Sequence, residues 1–152
     1  MHAFDASSLI YAWDNYPLEK FPPLWIWIAE QIQVGEFIVS DVAFQEVKNK
    51  SPECAKWVAE QGMQRLTMSN AILQEAMRIK GLLGIVDDSY HPKGVGENDL
   101  LIIAASKVNG IPLVSDEGMQ LRRPDILAKS KIPTVCAFPE VNVRCHYCPT
   151  KN

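Results

Sequence analysis

The stretch Gly96-Glu-Asn-Asp-Leu-Leu-Ile-Ile-Ala-Ala-Ser-Lys-Val-Asn-Gly-Ile-Pro-Leu-Val-Ser-Asp-Glu117 decides the fold, because it joins an all-apolar helix to a short strand and carries acids at both ends. Leu100 to Ala105 is apolar on every face, and a helix of that kind belongs in an interior. Asn98 can cap it, since its amide oxygen can accept from the unpaired N–H groups of the first turn. Asp99 then sits where the helix dipole favours an anion. Asn109-Gly110 supplies the left-handed residue that ends such a helix. Ile111–Ser115 follows as a β-branched apolar run with Pro only near its start, so it reads as a buried parallel strand. Asp116 and Glu117 emerge at its carboxyl end, the edge where open α/β sheets keep their ligands. Read singly, each acid is also an ordinary first-turn or turn residue.

Outward from this unit the same alternation repeats. Met1-His-Ala-Phe-Asp5 reads as a first strand with the acid at its carboxyl end, and Ser7 and Ser8 cap a helix through Trp13. Pro22-Pro23 opens a helix to about Gln33, with Gly35 as its stop. Its residues Trp25 to Ile28 suit core or subunit packing better than base stacking, which uses exposed basic grooves. Glu36–Ser40 is a second strand. Ser40-Asp41 caps the helix that carries Glu46 among apolar neighbours. Ser51-Pro52 starts another helix, ended by Gly62, and Arg65–Met68 reads as a strand. Asn70 caps Ala71–Leu83, whose stripe of Ile72, Leu73, Ala76, Met77 and Ile79 is read as core. Residues 85–96 form a polar loop leading to Asp99. A short helix precedes Arg122-Arg123-Pro124, and Ile132–Phe138 is the last strand candidate.

Strands alternating with helices predict an α/β fold, a three-layer α/β/α sandwich about a central, mainly parallel sheet joined by right-handed crossovers. At 152 residues the chain is long enough to bury roughly two thirds of its unfolded surface, so one domain over 1–152 is expected. Residues 118–152 hold six basic and two acidic side chains, against nine basic and sixteen acidic before them. That asymmetry suits a cation site in the first part and phosphate contacts in the tail, although solvated surface also explains it. Four cysteines without a signal peptide or long apolar span point to a reduced, cytoplasmic protein and away from a membrane. Cys145-His-Tyr-Cys148 resembles half of a zinc site, but no second Cys or His pair follows it.

In a parallel sheet the carboxyl ends of the strands converge, which brings Asp5, Glu46, Asp99 and the Asp116-Glu117 pair together. Several carboxylates in one cleft repel unless some are protonated or a cation lies between them. Hard oxygen donors without His select Mg²⁺ or Mn²⁺.

Phe4-Asp5-Ala6-Ser7-Ser8-Leu9-Ile10, the helical Glu46, Glu97-Asn98-Asp99 with Ile102-Ile103-Ala104-Ala105, and Val114-Ser115-Asp116-Glu117 resemble the PIN domain over nearly the whole chain. Tyr16-Pro17, Phe21–Trp25 and Ile132–Cys136 are similar to a small prokaryotic PIN-like subfamily of unknown function related to VapC-type toxins. The resemblance implies a metal-dependent endoribonuclease of toxin–antitoxin type. Asp5, Glu46 and Asp99 match its three main acids, with Ser7 a supporting polar residue. Its fourth element, Ser or Thr, any residue, then an acid, makes Glu117 the strict match after Ser115, with Asp116 the neighbour that could substitute. Single-stranded or looped RNA as substrate, an antitoxin protein as partner and homodimerisation are implied as well. Lys93, Arg122, Arg123 and Lys129 are the cations available to steer a nucleic-acid backbone. Two other readings stay open. A haloacid-dehalogenase-like phosphatase also starts with a strand-end Asp, but it needs a second acid where Ser7 stands. A PIN-like interaction module without turnover would hold a partner through the Trp-rich helix.

Overall fold

A computed structural model of the chain describes residues 1–147. In chain order the elements are β1 (His2–Phe4), α1 (Ala6–Asn15), α2 (Pro22–Gln33), β2 (Phe37–Ser40), α3 (Asp41–Lys50), α4 (Pro52–Glu60), β3 (Gln64–Leu66), α5 (Asn70–Leu82), α6 (Glu97–Asn109), β4 (Leu113–Ser115), a single 3₁₀ turn (Leu127–Lys129), α7 (Ile132–Cys136) and β5 (Cys145–Tyr147). The five strands form one wholly parallel sheet in the order β3-β2-β1-β4-β5. This is the expected α/β/α arrangement. The order runs outward in one direction from β1 to β3 and in the other from β4 to β5, so β1 and β4 flank the point where the connections diverge. Crevices in parallel sheets open at that point. The register fixes it, since Phe4 pairs with Val114 and Asp5 N–H donates to Val114 O at 3.0 Å.

Local chemistry explains most element boundaries. Ser40 caps α3 by accepting from Ala43 N–H, Pro22-Pro23 starts α2, and Gly110 ends α6 in the left-handed region at φ 65°. α6 is the buried centre foreseen for it. Leu100 and Ile102 to Ser106 are all buried, and α5 packs along α6 more extensively than any other pair of elements. Trp13, Trp25 and Trp57 stack edge-on or tilted at centroid separations of 5.0–6.2 Å, and Trp25 Nε1 donates to Tyr16 O at 2.6 Å. These tryptophans tie α1, α2 and α4 together.

Several expectations are corrected. Ile132–Cys136 is a helix, not a strand: Pro133 sits in its first turn, and the strand position beside β4 is taken by β5, where Leu113 pairs with Cys145. No helix precedes Arg122; residues 118–126 are irregular. α1 is capped by Asp5, whose side chain accepts from Ser8 N–H, and not by Ser7 or Ser8. α5 is capped by Ser69 and not by Asn70. On α5 the buried stripe is Ile72, Ala76 and Ile79, while Leu73 and Met77 are exposed. α2 likewise buries Trp25 and Ile32 but exposes Ile26 and Trp27. Of the half zinc site, Cys148 lies outside the described residues, and Cys145 is a free thiol. Among the described residues no helix is long and apolar enough to cross a membrane.

Candidate active site

Where β1 and β4 end, Asp5, Glu46, Asp99, Asp116 and Glu117 line one cleft of about 530 Å³, joined by Ser7, Tyr11, Lys50 and Ile132. Each acid arrives by a different route. Asp5 leaves the end of β1, Glu46 rides on α3 one and a half turns beyond β2, Asp99 occupies the first turn of α6, and the Asp116-Glu117 pair follows β4. All five acids singled out in the sequence therefore meet in space.

Asp5 is the most enclosed, at 2% exposure, and is ringed by hydroxyls. Ser7 and Ser115 donate to its Oδ2, both at 2.8 Å. Ser8 donates to its Oδ1 twice, from Oγ at 2.6 Å and from the backbone at 2.8 Å. Burial pushes this carboxyl above its ordinary value, and the bonds from Ser8, Ser7 and Ser115 pull it back by favouring the charged form. Ser7 and Ser115 thus both hold Asp5, although the sequence reading tied Ser115 to the acids after β4. Ser8, read in the sequence only as a helix cap, is the third supporter, and its signal was its place three residues after Asp5, one helical turn on.

Asp99 caps its own helix from inside. Its Oδ2 accepts from Gly96 N–H at 2.8 Å, so Gly96 and not Asn98 is the cap position. Asn98 instead turns outward, and its Nδ2 donates to Glu46 Oε1 at 2.9 Å, linking two of the acid-bearing helices. Burial pushes the Asp99 carboxyl up to about 6 against the opposing Gly96 bond, and the negative charges of Glu117, Glu46 and Asp5 add to the rise. Glu117 is the foremost of those charges. It is also anchored, since its Oε2 accepts from Ile132 N–H at 2.9 Å and its own N–H donates to Ser115 Oγ at 3.2 Å. Asp116 lines the same cleft.

The donor set is all hard oxygen, without His or Cys, and suits Mg²⁺ or Mn²⁺ by chemistry. The spacing is looser than a finished site. As the side chains stand, no three His, Cys, Asp or Glu among the described residues are grouped closely enough to hold an ion. Glu46 and Glu117 are tied to Asn98 and to Ile132 N–H, and both have side chains long enough to swing.

The sequence matches the family described as "Domain of unknown function (DUF4411)" over residues 2–147. The chain belongs to the DUF4411 family. The fold of this DUF4411 chain is PIN-like. It is similar to VapBC2 from Rickettsia felis, solved bound to a DNA fragment from their promoter, with a TM-score of 0.53 and 16% identity over 86% of this chain and 96% of that one. It is also similar to a toxin–antitoxin complex from Klebsiella pneumoniae, with a TM-score of 0.51 and 12% identity over 77% of this chain and 87% of that one. No curated protein matches the DUF4411 chain in sequence.

The cations near the cleft occupy three places. Arg123 stacks its guanidinium 3.8 Å from the centroid of the Phe138 ring, while Lys93 and Lys129 border a second cavity that shares Glu117 with the acidic cleft. Lys50, at the end of α3, is the cation inside the cleft itself, and nothing in its sequence surroundings marked it.

Proposed function

We propose that this DUF4411 chain is a metal-dependent endoribonuclease that hydrolyses phosphodiesters of single-stranded or looped RNA, and that it is the toxin of a toxin–antitoxin pair. The observation that carries this reading is the meeting of Asp5, Glu46, Asp99, Asp116 and Glu117 in one cleft at the divergence point of a parallel sheet. With Asp14 of α1, six carboxylates line this cleft and repel a phosphate, and a divalent cation reverses that sign.

Asp5, Glu46, Asp99 and Glu117 would hold Mg²⁺ or Mn²⁺, with Asp116 as the neighbouring alternative to Glu117; the bound ion would lower the pKa of the attacking water and neutralise charge on the phosphoryl oxygens. The serines around Asp5 hold that carboxyl in one orientation and favour its charged form against the effect of burial. The proton that leaves the water passes to solvent. Water adds to phosphorus as the ester P–O bond breaks, and the leaving oxygen takes a proton from solvent. No protein nucleophile is needed. Ser7, in the position where a haloacid-dehalogenase-like phosphatase needs an acid, donates to Asp5 instead and argues against that chemistry.

The relatives in fold are toxin–antitoxin complexes, which supports an antitoxin protein as partner of this chain. Co-purification with the product of an adjacent gene tests that part. Homodimerisation is proposed on the same footing and is tested by mass in solution. A second reading, an interaction module without turnover, is favoured by the exposed Ile26 and Trp27 beside an apolar groove of about 400 Å³ between α1, α2 and the sheet. Incubation of the protein with labelled single-stranded RNA under Mn²⁺, Mg²⁺ or EDTA, beside Asp99→Asn and Asp5→Asn, separates the two. Metal-dependent cleavage lost in both variants supports the nuclease. No cleavage and no Mn²⁺ binding in any sample would leave the interaction module.

A further inference from the structure

We infer that Lys93, Lys129 and Lys131 form a phosphate-binding subsite for the RNA strand, one step along the backbone from the phosphate at the carboxylates. The inference rests on the nuclease reading for its substrate and adds the path the strand takes. The three lysines border a cavity of about 510 Å³ that adjoins the acidic cleft, with Glu117 as the shared wall. Among the described residues none of the three is in an ion pair. The chain as a whole carries a net charge of −3, so three unpaired cations around one cavity are a local concentration, not a general surplus.

The cavity is built, not an accident of surface side chains. Its walls are two chain segments, 92–95 and 124–131, held together at short range. Val95 N–H donates to Ser130 O at 2.9 Å. Gly94 lies so close to the second segment that an added Cβ would stand 1.8 Å from Ala128 O, so only glycine lets Lys93 approach Lys129. Gln120 closes the third side, its Nε2 donating to Lys129 O at 3.2 Å and its Oε1 accepting from Lys131 N–H at 2.9 Å. The next residue, Ile132, gives its N–H to Glu117. The backbone that presents two of the lysines therefore also positions an acid of the cleft. Lysines act on phosphate as point charges and read no sequence, so the subsite contributes affinity and register for any strand. A polyanion with evenly spaced charges fits this pairing, with one phosphate among the carboxylates and their cation and a neighbour among the lysines.

The test reads binding without cleavage, so it is independent of turnover. Labelled single-stranded RNA is titrated by fluorescence anisotropy into the Asp99→Asn protein, in EDTA, over a series of KCl concentrations, with and without the added changes Lys93→Ala, Lys129→Ala and Lys131→Ala. The triple change is expected to weaken binding at least about tenfold at low salt and to reduce the slope of log affinity against log salt by about 2, as loss of three contacts to a single strand requires. Arginine at the three positions should restore both. An unchanged slope would overturn the subsite, as would an equal loss on changing Lys48 and Lys56, which lie on α3 and α4 away from this cavity. Gln120→Ala, which keeps every lysine but frees their backbone, should weaken binding severalfold with the slope little changed. Displacement of the RNA by polyglutamate as readily as by polyphosphate would overturn the assignment to phosphate. Absence of metal-dependent cleavage in the parent protein would overturn the nuclease reading and leave these binding results standing.

Discussion

Asp99→Asn is expected to make the protein more stable, and only at the upper end of the pH range. Holding this carboxyl at about 6 instead of its ordinary 3.8 costs the ionised form about 3 kcal/mol at 1.36 kcal/mol per tenfold change in proton affinity. The folded state therefore binds the proton more tightly than the unfolded state. Between about pH 4 and pH 6 it holds more protons, so stability falls as pH rises through that window. Below it both states are protonated and the cost vanishes; above it the cost is complete. Asparagine removes the charge but also removes the anion at the start of α6, worth about 0.3–1 kcal/mol, while its amide oxygen can still accept from Gly96 N–H. The net gain at pH 8 is about 2 kcal/mol, or about 4–8 °C in Tm for a chain of this size. Thermal unfolding followed by circular dichroism in EDTA, at intervals from pH 4 to 8, would show the variant and parent curves meeting at low pH and separating by pH 7. A difference that is flat across pH, or a variant less stable at pH 8, would refute the picture of an acid crowded by burial and by Glu117, Glu46 and Asp5. Added Mn²⁺ should raise the parent's Tm and close most of the gap, because a bound cation relieves the same repulsion.

Three further outcomes follow from single contacts. Ser8→Ala strips Asp5 Oδ1 of a buried 2.6 Å donor and should cost about 1.5–3 kcal/mol in urea unfolding at pH 7, with a smaller loss at pH 3, where the carboxyl is protonated. Gly94→Ala should cost at least as much as a strained core substitution, about 1–3 kcal/mol, and should depress RNA affinity together with stability, since residues 92–95 must move off Ala128. Trp25→Ala should destabilise by about 3–5 kcal/mol in the same unfolding assay through loss of its contacts with Trp13 and Trp57, whereas Trp27→Ala, with its ring half exposed, should cost far less.

What the sequence by itself determined is what short-range chemistry controls. The all-apolar Leu100–Ala105, the stop at Gly110 and the run into Val114 establish a buried helix feeding a parallel strand, while Pro22-Pro23 sets the start of α2 and the Ser40 cap that of α3. Alternation of strand and helix then places an acid after β1 and after β4 on one edge, so the five carboxylates were legible as a set. Tertiary structure alone decided how those acids are held. Asn98 abandons the cap because Asp99 reaches back to Gly96 and because Glu46, fifty-two positions earlier, offers a partner no local rule contains. Ile132–Cys136 is too short for its period to tell helix from strand, and the choice fell to β5, which fills the sheet beside β4 from a segment with little local signal. The lysine cavity likewise needs residues 93, 129 and 131 at one place, which depends on Gly94 meeting Ala128 and on Gln120 bridging the backbone. Propensity and periodicity act over one or two turns; contacts between residues tens of positions apart are set by how the elements pack, and the finer chemistry of this cleft is made of such contacts.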